Sequence, residues 1–383
     1  MRTAILVSKV LGVAIRLVSL VLLWTQTAAA GEAWQTEWAK IVAEAKREGQ
    51  LAIIAEETHS PVLEDFRKKY PEIRVSLIGG PSGRERTQKL MAERRAELYL
   101  RDIYIGNIYS DLGEGIHQVC DPIAPTFILP EVVDESKWWK GKHHYFDPKG
   151  QYVFVYEGVI KVATIAYNKN LVNPQAINSY WDLLNAKWKG KIVAIDHRPK
   201  AMGSVQDGFR LFYFHPELGP EFIRRLYSEM DVTFSRNQTQ ILDWLGVGKV
   251  ALAFFNATTN VNSAIRQGLP IGEFLAPNFK EGGIVGPQVG RIALLNRAPH
   301  PNVAKLFINW LLSKEGQVSF QNAFAPRSQG QHGNSMREDI PKDIIPLSGR
   351  REACRNCMEG ILEMQDVTPI TKFIDEVLAK AKK

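Results

Sequence analysis

Short apolar runs alternate with amphipathic segments from residue 51 onward. Short apolar runs bounded by turn residues are typical of buried strands, and apolar positions three to four residues apart are typical of helices. The first part of the chain predicts strands at 51–55, 73–78 and 102–105 and helices at 61–70 and 85–98. Short loops in this β-α-β-α-β order predict a parallel sheet, in which ligands bind at the carboxyl ends of the strands. The loops so marked are 56–60, 79–84 and 106–110.

A second set of α/β elements follows. Strands are predicted at 162–167, 191–195, 250–254 and 292–295, and helices after Gly203 and at 221–230, 238–245, 301–312 and 371–383. The segment 128–160 between the two sets is aromatic and irregular, and we interpret it as a connection between lobes. The length of 383 residues favours two domains. The predicted fold class is α/β.

The N-terminal segment has the pattern of a secretory signal peptide. Residues 1–30 contain three bases and no acid, with an apolar run at 17–24 followed by Ala28-Ala29-Ala30. The apolar run is far shorter than the roughly 20 residues that span a bilayer. We expect cleavage after Ala30 and an exported mature protein without a lipid anchor, because no cysteine follows the run.

Composition and cysteine content narrow the function class. The chain is 45% hydrophobic and 23% charged, with a net charge of +7 whose bases are interleaved with acids, so a nucleic-acid-binding role is not expected. Three cysteines exclude a disulfide scaffold. In an oxidising compartment, Cys354 and Cys357 are predicted to form a local disulfide, which leaves Cys120 as a buried free thiol.

Catalytic and cofactor motifs are missing from the sequence. There is no phosphate-binding loop, no HExxH zinc motif and no GxSxG nucleophile motif. The glycines at 246 and 248 lie between a helix and a strand, the reverse of a dinucleotide-binding site, and predict a turn. Adjacent His143 and His144 point to opposite sides of a strand, so one metal ion is not expected to take both. We expect neither an enzyme nor a bound cofactor.

Six segments in sequential order resemble the periplasmic substrate-binding proteins of ABC importers. They are residues 48–54, 66–75, 89–95, 166–171, 181–191 and 304–317. The resemblance is greatest to the ferric-iron-binding branch of the type II binding proteins, which also has relatives for thiamine, polyamines, phosphonates and sugar phosphates. It covers about residues 45–330.

The resemblance implies two α/β lobes joined by a two-segment hinge that close on a ligand in the cleft. Lobe one is expected at 31–165 plus 285–332, and lobe two at 166–284 plus 333–383. A protein of this kind is periplasmic and monomeric, binds a small molecule and delivers it to an inner-membrane ABC permease with its ATPase. A ligand that contacts both lobes would favour the closed state.

The resemblance also places candidate ligand residues. His59 lies where iron-binding members have a histidine ligand, Asn107 near their carboxylate, Thr258-Thr259 at their tyrosine pair, and Asn237 where they hold an accompanying anion. Ferric iron favours anionic phenolate and carboxylate oxygens, which threonine hydroxyls and an amide do not supply. We therefore expect a small anionic or polar organic solute, with ferric iron or an iron chelate as the alternative, and a sensor as an alternative partner.

The remaining candidates lie in predicted cleft loops or near helix starts. Arginine binds carboxylate or phosphate in bidentate fashion, and helix N-termini favour anions. The full candidate set is His59, Ser60, Arg84, Asn107, Tyr109, Arg198, Ser204, Arg236, Asn237, Asn256, Thr258 and Thr259.

Overall fold

The computed structural model describes most of the chain that follows the predicted signal peptide. The described residues are 33–80, 82–161, 163–196, 203–254, 258–274, 279–326, 332–346, 349–351, 354, 356–359 and 368–381.

Strands and helices alternate along the described chain. The strands are β1 (Gln50–Ile54), β2 (Arg74–Ile78), β3 (Ile103–Ile105), β4 (Cys120–Asp121), β5 (His144–Tyr145), β6 (Val153–Val155), β7 (Val159–Lys161), β8 (Ile165–Asn168), β9 (Ile192–Ile195), β10 (Thr233–Ser235), β11 (Leu252–Phe254), β12 (Ile271–Glu273), β13 (Ile284–Gly286), β14 (Arg291–Leu295) and β15 (Met358–Glu359). The helices are α1 (33–48), α2 (Ser60–Lys69), α3 (Gly83–Arg95), α4 (Ile108–Leu112), α5 (Pro130–Val133), α6 (Gly203–Phe214), α7 (Gly219–Glu229), α8 (Gln238–Gly246), α9 (Thr258–Arg266), α10 (Pro301–Leu312), α11 (Lys314–Phe324) and α12 (Thr368–Ala381).

The first sheet is parallel on one side and antiparallel on the other. Its order is β2-β1-β3-β14-β6-β5, and β4 pairs with β14. Strand β1 is parallel to β2 and β3, as the β-α-β-α-β pattern predicted. Strand β14 is antiparallel to β3 and β6, so a late segment of the chain completes a sheet that began near residue 50. The carboxyl ends of β1, β2 and β3 therefore meet at one edge.

The second sheet has the order β10-β9-β11-β8-β12. Strand β9 is parallel to β10 and β11, whereas β8 is antiparallel to β11 and β12. Helices α6, α8 and α9 follow β9, β10 and β11 along the chain. The carboxyl ends of these three strands therefore share one edge of the second sheet.

Each sheet is buried in its own hydrophobic core. The first core joins Leu51 of β1 and Ile103 of β3 to Phe66 of α2 and Phe307 of α10. A separate core surrounds the second sheet, with the helices of that half of the chain packed on it. Two sheets with two cores confirm the predicted two-lobed α/β architecture, and we call them the first and second lobes.

Most of the aromatic segment 128–160 belongs to the first lobe and does not connect the two lobes. It contains α5, β5 and β6, and Val132, Trp138 and Phe154 are fully buried in the first core. His143 and His144 lie within it, with Nε2 atoms 2.9 Å from Val132 O and 2.8 Å from Trp139 O. The interpretation of the whole segment as a connection was wrong, because its strands β5 and β6 form one edge of the first sheet and its apolar side chains pack into the first core.

By the cores that the described residues join, the chain makes three crossings between the lobes rather than two. The first continues from β6 through β7 to β8, and the second returns from β12 through β13 to β14. The third is the C-terminal segment: Met336 belongs to the first core, whereas Ile370 of α12 belongs to the second. The predicted division placed all of 333–383 in lobe two, so the structure differs from it around Met336.

The crossing segments form a small sheet of their own. Strand β13 is antiparallel to β7 and parallel to β15, in the order β15-β13-β7. Cys354 and Cys357 are joined by a disulfide directly before β15, as predicted. Cys120 is a buried free thiol, also as predicted, and burial raises the pKa of its thiol. No helix among the described residues is long and apolar enough to cross a bilayer.

The first core depends on the contact between α2 and α10. Phe66 is fully buried, and its ring lies 5.0 Å from that of Phe307 and 5.2 Å from that of Trp310. We expect Phe66→Ala to lower the free energy of unfolding by about 3–5 kcal/mol, because it removes these contacts and leaves a cavity. Urea denaturation measures this loss, and Phe66→Leu should lose less. A Phe66→Ala variant within about 1 kcal/mol of the original protein would contradict this packing.

Candidate functional site

Three loops of the first lobe meet at a small pocket. They follow β1, β2 and β3, and they are joined by segment 287–290, which connects β13 to β14. The pocket has a volume of about 60 Å³. Its walls include Glu56, His59, Gly83, Arg86, Asn107 and Gln288. This is the edge of the sheet where the topology places a ligand.

His59 is a buried and neutral histidine in this pocket. Its residue is 2% exposed, and its ring packs edge-on against Phe324 with centroids 4.9 Å apart. Neither Nδ1 nor Nε2 has a hydrogen-bond partner among the described residues. Burial lowers the pKa of His59 from 6.5 to about 4, against the opposing effects of the Glu56 carboxylate and of the Glu56 backbone, which lies near the ring without the geometry of a hydrogen bond. A neutral imidazole offers a ligand one donor and one acceptor.

Ser60 is the first residue of α2 and does not cap the helix. A single 3-10 turn, Glu57–His59, leads directly into the helix, and the Ser60 N–H donates to Glu57 O. His59 therefore occupies the position before the helix, and no side chain caps it. The sequence did not indicate this turn, which is what places His59 at the pocket.

The arginine that lines the pocket is Arg86, not the predicted Arg84. Helix α3 begins at Gly83, with the Ser82 hydroxyl accepting from the N–H of Glu85. Residues two apart in a helix point about 200° apart, so Arg84 is exposed and lines a groove beside Asp111 and Leu112. Arg86 shares the buried face of α3 with Leu90, four residues later, and this face turns Arg86 rather than Arg84 inward.

Arg86 is held by two contacts through its terminal nitrogens, and its Nε remains open. It is 4% exposed; Nη1 donates to Gly80 O at 3.0 Å, and Nη2 lies 3.2 Å from Glu56 Oε1. The Glu56 side chain is 46% exposed, so this ion pair reaches the solvent-facing side of the pocket. The buried Nε of Arg86 has no partner among the described residues. A charged donor left open in this way is a strong attachment point for an acceptor.

The other two candidates of the first lobe differ in their placement. Asn107 is exposed and lines the pocket. Tyr109 is half-buried; its hydroxyl donates to Glu114 at 3.3 Å, and its ring packs edge-on against Phe146. Tyr109 is therefore held by neighbours outside the pocket wall.

A buried carboxylate that the sequence analysis missed supports the pocket wall at 287–290. Oε2 of Glu157 accepts the backbone N–H groups of Gln288, Val289 and Gly290 at 2.9, 2.6 and 2.9 Å. Oε1 accepts the N–H of Gly333 at 2.7 Å. A Cβ on Gly290 would lie 2.2 Å from Cβ of Glu157, so glycine is required there. No local pattern predicts an interaction between residues more than a hundred positions apart.

The second-lobe candidates follow the strands β9, β10 and β11, whose carboxyl ends share an edge. Arg236 is exposed and pairs with Asp196 at 3.2 Å, and Asn237 caps α8 by accepting from the N–H of Gln240. Ser204 lies near the start of α6, and Thr258 and Thr259 begin α9. Arg198 and Asn256 lie outside the described residues. Within the described part of the chain, no cluster of three or more His, Cys, Asp or Glu side chains is placed to hold a metal ion.

The pKa of His59 predicts a pH-dependent stability. The unfolded chain protonates its histidine near pH 6.5, whereas the folded protein resists protonation until about pH 4. The contribution of His59 to the free energy of unfolding should therefore be fully present above pH 6.5 and be lost as the pH falls from 6.5 toward 4. At about 1.4 kcal/mol per pKa unit, His59 accounts for about 2 kcal/mol lost between pH 7 and pH 5.

Urea denaturation at pH 7 and pH 5 measures this difference. His59→Gln should lose less stability than the original protein over the same interval, because glutamine does not titrate. An identical loss in both proteins would contradict a buried neutral His59.

Comparison with known proteins shows which family and which solved structures this chain resembles. Residues 155–323 match the family described as bacterial extracellular solute-binding protein. A search of curated protein sequences finds no match.

Solved structures with the same fold are distant in sequence. A Bordetella ferric binding protein is 14% identical, with 86% of this chain and 98% of that chain covered and a TM-score of 0.60. Trichodesmium FutA, in complex with iron and citrate, is 18% identical, with 86% and 99% covered and a TM-score of 0.57. Iron-bound HitA from Pseudomonas aeruginosa is 15% identical, with 86% and 99% covered and a TM-score of 0.54. Residues 155–323 are therefore similar in sequence to bacterial extracellular solute-binding proteins, and the chain shares the two-lobed fold of these solved structures.

Proposed function

We propose that this protein is the solute-binding component of an ABC uptake system and captures a small anionic or polar organic solute between its two lobes. The family match supports solute binding, and the fold supports capture in a cleft. The solute would then pass to a membrane permease driven by a separate ATPase. The protein itself would perform no catalysis.

One observation carries the proposal. Three buried nitrogen atoms beside one pocket, Arg86 Nε and both ring nitrogens of His59, have no partner among the described residues. Buried polar groups are paired in the great majority of folded proteins, and leaving one unpaired costs about 1–3 kcal/mol. A solute that supplies the missing partners recovers that free energy when it binds.

The groups around the pocket favour an oxyanion. Arg86 donates from a cation, and Gly83 places the N-terminus of the 13-residue helix α3 at the pocket wall, where the free N–H groups and the helix dipole favour negative charge. Neutral His59 adds one further donor. A volume of about 60 Å³ suits one carboxylate or phosphate group rather than a whole solute. The rest of the solute would extend toward the second lobe, where the edge that carries Arg236 and Asn237 supplies candidate contacts.

An iron chelate is the alternative ligand. Two of the structural neighbours are iron-bound by their titles, and one of these holds citrate with the iron. His59 in its neutral form is able to ligate a metal. Because Thr258 and Thr259 lack the ionised oxygens that ferric iron prefers, the chelator would have to supply them. A ferric complex of an organic anion would then use the same pocket.

Location and partners follow from the same class. We infer that the signal peptide is removed after Ala30 and that the mature protein works in the periplasm as a monomer. The alternative partner is a periplasmic sensor instead of a permease. Genes for a permease and an ATPase beside this gene would favour the importer, and a gene for a sensor kinase would favour the alternative.

A thermal-shift panel on the mature protein tests the proposed ligand class. The panel contains phosphate esters, phosphonates, di- and tricarboxylates, ferric citrate, polyamines and thiamine. A solute at about a hundred times its dissociation constant stabilises the folded state by about 2.7 kcal/mol. We expect an anionic solute to raise Tm by several degrees.

Variants of the pocket connect that shift to named atoms. Arg86→Gln should abolish the shift, and His59→Gln should reduce it. Arg95→Gln is the matched control, since Arg95 is an exposed arginine on the same helix and lies outside the pocket. A full shift retained in Arg86→Gln, or a shift only with polyamines or thiamine, would contradict the oxyanion site.

A further inference from the structure

The third crossing between the lobes is attached firmly at its first-lobe end. The Arg337 guanidinium is fully buried and donates to Glu131 O and Leu312 O, both at 3.0 Å. It also forms a bidentate pair with Asp339 at 2.8 and 2.7 Å. The chain that leaves this anchor reaches α12, which packs on α7 and α6 of the second lobe.

Between these two ends, the segment lies against the first crossing. The N–H of Gly158 donates to Asn334 O at 2.8 Å, and the N–H of Met336 donates to Tyr156 O at 2.8 Å. Nη1 of Arg351 donates to Ser335 O at 2.9 Å and lies 3.3 Å from Gly158 O. One guanidinium therefore contacts both the C-terminal segment and the backbone of the first crossing.

The same segment then pairs with the second crossing. Strand β15 lies parallel to β13, with Met358 beside Ile284. The N–H of Met358 donates to Gly283 O at 2.9 Å, and the N–H of Gly283 donates to Cys357 Sγ at 3.3 Å. The Cys354–Cys357 disulfide closes the turn that makes these contacts.

The C-terminal segment packs on a glycine in each of the other two crossings, Gly158 in the first and Gly282 in the second. A Cβ on Gly158 would lie 2.4 Å from Met336 Sδ and 3.4 Å from Arg351 Cδ. Gly282 has a φ of +73°, and a Cβ on it would lie 2.9 Å from Cys354 Sγ. Hinge motion is absorbed by a few residues at such positions. Bending at either glycine would have to displace the segment packed on it.

We propose that the described residues of the C-terminal segment (334–346, 349–351, 354 and 356–359) form a strap that restrains the angle between the lobes, and that the Cys354–Cys357 disulfide holds the part of the strap that covers Gly282. With the disulfide formed, the solute-free protein samples a narrow range of inter-lobe angles. Opening the disulfide frees the turn, weakens the pairing of β15 with β13, and widens that range. A restrained hinge loses less conformational entropy when it closes on a solute. The strap acts without any solute, so its test is independent of the ligand proposal.

Inter-lobe distances measured between two spin labels test the strap directly in the absence of solute. Lys89→Cys on α3 and Thr239→Cys on α8 are exposed helix positions, one on each lobe. Double electron-electron resonance compares this labelled pair in the original background and with Cys354→Ser and Cys357→Ser. We expect a wider distance distribution in the serine background. Cys120→Ser, which removes the buried thiol outside the strap, is the matched control and should leave the width unchanged.

A second variant tests the strap even if the serine variant folds poorly. Arg351→Gln leaves the disulfide in place and removes the contact to Gly158 O, so it should also widen the distribution. Amide exchange in β7 and β13 should become faster by about tenfold in either variant, because their opening needs less of the structure to move. Unchanged distances and unchanged exchange in both strap variants would overturn the proposal.

Discussion

The carboxylate of Glu157 is the one group that contacts the pocket wall, the crossings between the lobes and the chain that leads into the strap. It lies on the first crossing, accepts three N–H groups of the second crossing at 288–290, and accepts a fourth from Gly333, directly before the C-terminal segment. A buried charge is tolerated only where hydrogen bonds replace its hydration. These four backbone donors do so, and their geometry fixes the wall of the pocket. The same charge acts on His59, since it opposes the effect of burial on the pKa of that ring.

Much of the framework was predictable because its signals are local. The β-α-β-α-β pattern gave the parallel strands β1, β2 and β3, and the order of the loops gave the edge where the pocket lies. The CxxC spacing gave the disulfide. These features depend on neighbours a few residues apart, and hydrophobic periodicity and cysteine spacing report on such neighbours directly.

The structural features that the sequence did not predict depend on the direction in which a helical side chain points or on partners that are distant in the sequence. Arg84 and Arg86 both lie in α3 and point about 200° apart, so the buried face of the helix brings only Arg86 to the pocket. Glu157 meets Gln288 across 131 positions, and Arg337 meets Glu131 across 206, with no periodic pattern at either end. The third crossing went unpredicted for the same reason, since Met336 and Ile370 are in different cores although both lie in the C-terminal part of the chain.

We propose that neutral His59 and the buried Nε of Arg86, which have no partner among the described residues, bind the solute. The ring resonances of His59 in histidine-labelled protein report on this most directly, with His59→Gln to assign them among the eight histidines. The account predicts neutral-ring shifts at pH 7 without solute, and a change in these resonances when the protein is saturated with the panel compound that raises Tm. Saturation with that compound while the His59 resonances stay unchanged would contradict it.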